Sequence, residues 1–88
     1  MNRMFKVIIK PSAEKQLDRL PASDCRRVVA ALEDLRRDPR PPGCVKLTGE
    51  DDLWRIRVGV YRVVYQIHDV ELTMLVVRIA HRKDVYRG

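Results

Sequence analysis

The sequence predicts an α+β fold, a helical hairpin packed on one face of a mainly antiparallel sheet in the order β-α-α-β-β-β(-β). Three observations carry this expectation. Apolar residues recur at helical spacing between positions 12 and 37, polarity alternates from 53 to 68 about a central glycine, and a nearly unbroken apolar run fills 72–80. At 88 residues the chain has room for one hydrophobic core, so one domain spanning residues 1–88 is expected.

The first strand reads from Met4 to Lys10, MFKVIIK, where β-branched and aromatic residues dominate until Pro11, and an edge position is expected. Ser12 is the expected cap of a short helix whose apolar positions Ala13, Leu17 and Leu20 share one side and which Pro21 stops. Ser23 or Asp24 is expected to cap a second helix through about Arg37. Its apolar stripe is Cys25, Val28, Val29, Leu32 and Leu35, with Arg26, Arg27, Glu33, Arg36 and Arg37 largely outside. Asp38 to Gly43, DPRPPG, cannot continue a helix, because each proline removes an amide donor and biases its predecessor toward extended geometry. A short strand is expected at Val45–Leu47, followed by the acidic loop Thr48–Asp52.

The stretch Leu53–Gln66, LWRIRVGVYRVVYQ, organises the rest. Strand alternation sends Trp54, Ile56 and Val58 to one face and Leu53, Arg55 and Arg57 to the other. On the returning arm Tyr61, Val63, Tyr65 and Ile67 form an apolar row, with Val60, Arg62, Val64, Gln66 and His68 opposite. A two-residue II′ loop takes glycine at its first central position, so a Gly59-Val60 loop pairs Val58 with Tyr61 and Arg57 with Arg62. Like charges facing each other across a ladder destabilise it by a few tenths to about 1 kcal/mol. A bound polyanion, phosphate above all, gives that arrangement a purpose. After a turn at Asp69 and Glu71, Leu72–Ala80 reads as a central strand apolar on both faces except at Arg78, and the tail HRKDVYRG follows.

Charge points the same way. Lys and Arg total 18 against 12 Asp and Glu, a net +6, and residues 53–88 hold seven of the former against three of the latter, so four of the six net charges lie there. Nucleic acid or an acidic protein is the expected partner. A hydrophobic fraction of 45% with 34% charged residues is globular composition and excludes a disordered chain. Cys25 and Cys44 have neither CxxC nor nearby histidine spacing, so neither a zinc site nor a redox motif is indicated. No apolar run is long enough for a signal peptide or a membrane span, and a cytoplasmic protein without membrane partners is expected.

The hairpin motif G-x-YR-x-x-Y, here Gly59, Tyr61, Arg62 and Tyr65, is joined by a terminal HR-x-x-VY, here His81, Arg82, Val85 and Tyr86. With PRPPG ahead of them, these motifs make the chain resemble the RelE/ParE superfamily of bacterial toxins over nearly its whole length, and its RelE-like branch in particular. The resemblance implies a toxin of a type II toxin-antitoxin system, a ribosome-dependent endoribonuclease that cuts mRNA and is held inactive by a cognate antitoxin encoded nearby. It also implies that the toxin-antitoxin complex binds operator DNA through the antitoxin. Carried over residue by residue, it implies Arg57, Arg62, Arg82 and Tyr86 as the catalytic set and Arg55 as a substrate-binding residue, with no cofactor and no metal. Where RelE has lysines at the first two basic positions this chain has Arg55 and Arg57. Arginine improves bidentate phosphate binding but does not readily release a proton near neutrality.

The general base stays open between His81, also read as substrate-binding, and Tyr86. Structural alternatives stand beside these roles. Arg55 and Arg57 also fit a merely solvated sheet face, His81 a hydrogen-bonded structural histidine, and Tyr86 a lid over the core edge. Trp54, Tyr61 and Tyr65 belong with the core row. Two further functions fit the charge: a ParE-like inhibitor of DNA gyrase without nuclease activity, and a non-catalytic nucleic-acid binding module.

Overall fold

The glycine-centred hairpin forms in the register its loop dictates. In the computed structural model, which describes residues 4–47, 49 and 52–83, strands β3 (Leu53–Val58) and β4 (Tyr61–His68) run antiparallel with Val58 opposite Tyr61 and Arg57 opposite Arg62. Gly59 has φ +59°, the left-handed value that a II′ loop demands of its first central residue. The other elements are β1 (Lys6–Ile9), α1 (Pro11–Asp18), α2 (Ala22–Arg37), β2 (Val45–Lys46) and β5 (Thr73–His81). They complete the expected α+β arrangement as one five-stranded sheet in the order β1-β5-β4-β3-β2, with β1 at an edge and parallel to β5, and every other pair antiparallel.

Both helices begin earlier than their polar residues suggest. Pro11 occupies the first turn of α1, where its missing amide costs nothing, and Lys10 rather than Ser12 is the cap residue. Pro21 is itself the cap residue of α2, one step outside the helix, and neither Ser23 nor Asp24 caps it. Val28, Leu32 and Leu35 bury one side of α2, whereas Val29, a hundred degrees round the helix, is exposed. With Ala13 and Leu17 of α1 they close on Ile56, Val63, Tyr65, Ile67, Met74, Val76 and Ile79, forming the core between the helix pair and one sheet face.

A bulge in β5 sets the sidedness of its end. Tyr65 pairs with Val76 while Val64 pairs with Arg78, so Val77 is a surplus residue. In strict alternation Met74, Val76, Arg78 and Ala80 would share a face. The surplus residue reverses the phase, so that Ile79 and His81 follow Met74 and Val76 on the helix side and Arg78 turns away from it. The opposite side of β5, at Leu75 and Val77, is half-buried rather than fully covered as its composition suggests. Beyond the end of β1, Gln16 of α1 takes over as neighbour, its Oε1 accepting the Ile79 amide at 2.7 Å.

The proline-rich turn is fastened at three points. Arg40 donates to both carboxylate oxygens of Asp69 at 3.0 and 2.9 Å, its guanidinium lies 5.0 Å from the centre of the Trp54 ring, and Tyr65 donates its hydroxyl to the Pro39 carbonyl at 2.7 Å. The Arg40 hydrogen bond holds the Asp69 carboxyl below the usual range, and burial pushes the Tyr65 phenol well up. Trp54 is half-buried rather than part of the sealed core.

Candidate functional site

Arg57 and Arg62 face each other on the last rung before the hairpin turn. Arg57 is exposed, but Arg62 is only 7% exposed, although its position on the sheet face away from the helices suggests an open side chain. The cause is the end of β5, which folds over it. Arg62 Nη1 donates to the Arg82 carbonyl at 2.9 Å, and the Arg82 amide donates to the Val60 carbonyl at 2.7 Å. These two bonds bring Arg82 to the hairpin turn, and Arg57, Arg62 and Arg82 together line a cleft of about 130 Å³ with Gly59 and Tyr61. Three arginines lining one small concavity suit an oxyanion, because planar guanidinium donors match phosphate oxygens in pairs.

Arg55 stands one step along the strand, opposite Val64. It lines a larger groove of about 600 Å³ with Asp34, Pro42, Gly43 and Val45, and Arg57 lines both concavities. Arg55 Nε is buried without a hydrogen-bond partner.

His81 does not join the arginines. The reversed phase of β5 puts it opposite Tyr61 on the helix side, with ring centroids 5.9 Å apart and planes at 79°, and its Nδ1 accepts the Lys83 amide at 3.2 Å. Tyr61 in turn donates its hydroxyl to Asp24 Oδ2 of α2 at 3.0 Å. Burial first, and that hydrogen bond second, push the Tyr61 phenol up, so it stays a donor at neutral pH. Tyr86 lies outside the described residues.

One cation near the turn was not singled out in the sequence. Three atoms of the Arg27 guanidinium lie 3.2–3.5 Å from where a Cβ on Gly59 would stand, so α2 contributes a positive charge against the turn that lines the cleft. In sequence Arg26-Arg27 reads as an ordinary solvated pair, and no local signal links it to a glycine in a distant hairpin. Among the described residues, no group of three or more His, Cys, Asp or Glu side chains comes together that could hold a metal ion, and no helix is long and apolar enough to cross a membrane.

The Arg57–Arg62 rung predicts opposite effects on stability and binding. Arg57→Gln is expected to leave stability unchanged or raise it by a few tenths to about 1 kcal/mol, because it removes a like-charge pair. The same change should weaken retention of a phosphate-bearing ligand. Thermal unfolding, with and without a short non-cleavable RNA, measures both, and a large loss of stability without ligand would show that the rung is not repulsive.

A family model described as the ParE toxin of the type II toxin-antitoxin system parDE matches residues 7–86. The toxin RelG of Mycobacterium tuberculosis is 32% identical over 84 residues, 94% of this chain and 97% of the relative. Among solved structures, the archaeal RelE-RelB complex from Pyrococcus horikoshii contains a chain that superposes with a TM-score of 0.81 at 28% identity, covering 90% of this chain and 96% of that one. The toxin-antitoxin complex RelBE2 from Mycobacterium tuberculosis gives 0.79 at 31% identity, with 90% and 99% covered. Sequence motifs, strand order and these likenesses agree, and the chain belongs to the RelE/ParE toxin superfamily, on its RelE-like branch.

Proposed function

We propose that the chain is the toxin of a type II toxin-antitoxin pair and acts as a ribosome-dependent, metal-independent mRNA endoribonuclease. The observation that carries this reading is the convergence of Arg57, Arg62 and Arg82 on one cleft. In the proposed reaction an RNA 2′-OH attacks the adjacent phosphorus, the P–O5′ bond breaks, and the products are a 2′,3′-cyclic phosphate and a free 5′-OH. Negative charge grows on the phosphorane oxygens, and cationic donors fixed in advance bind that state more tightly than the ground state. Arg57 and Arg62 serve the phosphorane oxygens, Arg82 the leaving oxygen, and Arg55 an adjacent phosphate in the groove that Arg57 also lines. The attacking hydroxyl must also lose a proton, which no guanidinium accepts near neutrality. With His81 on the other sheet face, Tyr86 is the remaining candidate for that proton.

A chain this small offers few contacts to hold a long substrate. Alignment of mRNA by the ribosome removes that demand, since positioning alone can supply about 7–11 kcal/mol of a barrier. Free RNA should be a poor substrate. The partner that silences the toxin is a cognate antitoxin, as in the RelE-RelB and RelBE2 complexes, and it would carry the operator-DNA contact of the pair. The proposed place of action is the cytoplasm.

The match to the ParE model favours a second reading, a gyrase inhibitor without hydrolytic chemistry. One experiment separates the two: purified protein is added to translating ribosomes with mRNA ends mapped by primer extension, and in parallel to a gyrase supercoiling reaction. Codon-positioned ends with unimpaired supercoiling are the expected outcome. Intact mRNA together with blocked supercoiling would replace the nuclease with the inhibitor.

A further inference from the structure

We infer that His81 is a positioning residue for the arginine cleft, holding through its Nδ1 lone pair the turn that presents Arg82. The inference rests on the cleft being the reaction site, but it assigns His81 a role that touches no substrate.

The residue stands at the junction of two sets of contacts. On one side its ring meets Tyr61 edge to face, and Tyr61 is tied to Asp24 of α2. On the other side its Nδ1 accepts the Lys83 amide, closing a tight turn around Arg82. Arg82 is itself held at both backbone groups, its amide by Val60 and its carbonyl by Arg62. The chain leaves β5 at His81, so without the bond from the Lys83 amide to His81 the turn at Arg82 has one anchor fewer just where a guanidinium must be aimed. To accept an amide hydrogen, Nδ1 must be unprotonated, which requires the neutral ring with its proton on Nε2. A side chain that donates to a backbone carbonyl, or merely fills the space, would not replace it.

Asparagine and glutamine distinguish these possibilities, because an asparagine Oδ1 falls close to the position of Nδ1 while a glutamine Oε1 reaches toward that of Nε2. The full chain is made as wild type, His81→Asn and His81→Gln, with thermal unfolding recorded for each. A glutamine variant that does not fold is replaced by His81→Leu, which fills the volume without an acceptor. Hydrogen exchange at the Lys83 amide should be slow in wild type and His81→Asn, and at least about tenfold faster in His81→Gln, as loss of one local hydrogen bond implies. On ribosome-bound mRNA, kcat should fall by about 10²-fold in His81→Gln with KM little changed, the penalty of misplacing a catalytic group by about 1 Å, and should stay near wild type in His81→Asn. Equal exchange at Lys83 in all three proteins would overturn the inference, as would equal kcat in the asparagine and glutamine variants. Should the wild-type protein cut no mRNA, the nuclease reading fails by itself. The positioning role is then judged with inorganic pyrophosphate, whose effect on the Arg82 Nε–H resonance should survive in His81→Asn and vanish in His81→Gln.

Discussion

Replacing Arg62 with alanine should lower the rate of mRNA cleavage on the ribosome by about 10²- to 10³-fold, the usual cost of removing one preorganised donor from a developing oxyanion. Arg62 has two tasks. It lines the cleft, and through Nη1 it holds the Arg82 carbonyl, so the substitution removes one cation and loosens a second. Burial changes what the variant costs the fold. A hydrogen bond donated by a charged group contributes about 1.5–3 kcal/mol, so Arg62→Ala should be measurably less stable and must be assayed well below its unfolding midpoint. Arg62→Lys keeps the charge but lacks the planar fork needed to reach a carbonyl and a phosphate together, and should recover only part of the rate. Single-turnover cleavage at saturating ribosome concentration is the measurement. An alanine variant that cuts at the full rate would remove Arg62 from the reaction.

Met74→Ala should destabilise the fold by about 2–5 kcal/mol, the range for truncating a buried Met, Leu or Ile. Met74 is fully buried in the interior strand β5, opposite Ile67, between the sheet and the helix pair. In a domain of this size each kcal/mol is about 4–8 °C in Tm, so the loss is easily read by thermal unfolding. Val70→Ala is the matched control, since Val70 is 93% exposed in the β4–β5 turn, and its effect should stay within about 0.5 kcal/mol. Comparable losses in the two variants would contradict the assigned core.

What could be read in advance was whatever depended on neighbours in the chain. The Arg57–Arg62 pairing followed from one glycine, since a two-residue loop leaves the register no freedom. The edge position of β1 and the short β2 followed from proline placement and length. The helix starts differ from the expected ones because Ser12, Ser23 and Asp24 have the chemistry of caps, whereas prolines at positions 11 and 21 begin the helices two or three residues sooner, and Asp24 spends its carboxylate on Tyr61. Burial of Arg62 was invisible because its cover comes from Arg82, twenty residues later. The contact of Arg27 with the Gly59 turn and the separation of His81 from the cleft are tertiary facts of the same kind. The surplus residue in β5 left no trace in composition, because Val76 and Val77 are both valine and either would suit a strand.

That doubled valine means the orientation of the carboxyl-terminal chemistry is set by counting rather than by composition. Were Val77 drawn into the ladder as an ordinary rung, every later residue would change face, sending the imidazole outward and a guanidinium into the oily layer under the helices, whereas its loss would leave Val76 opposite Tyr65 and Arg78 opposite Val64. Loss of the surplus residue should therefore be better tolerated than a deletion elsewhere in the strand, and facings counted by plain alternation through this step come out wrong for every residue after it.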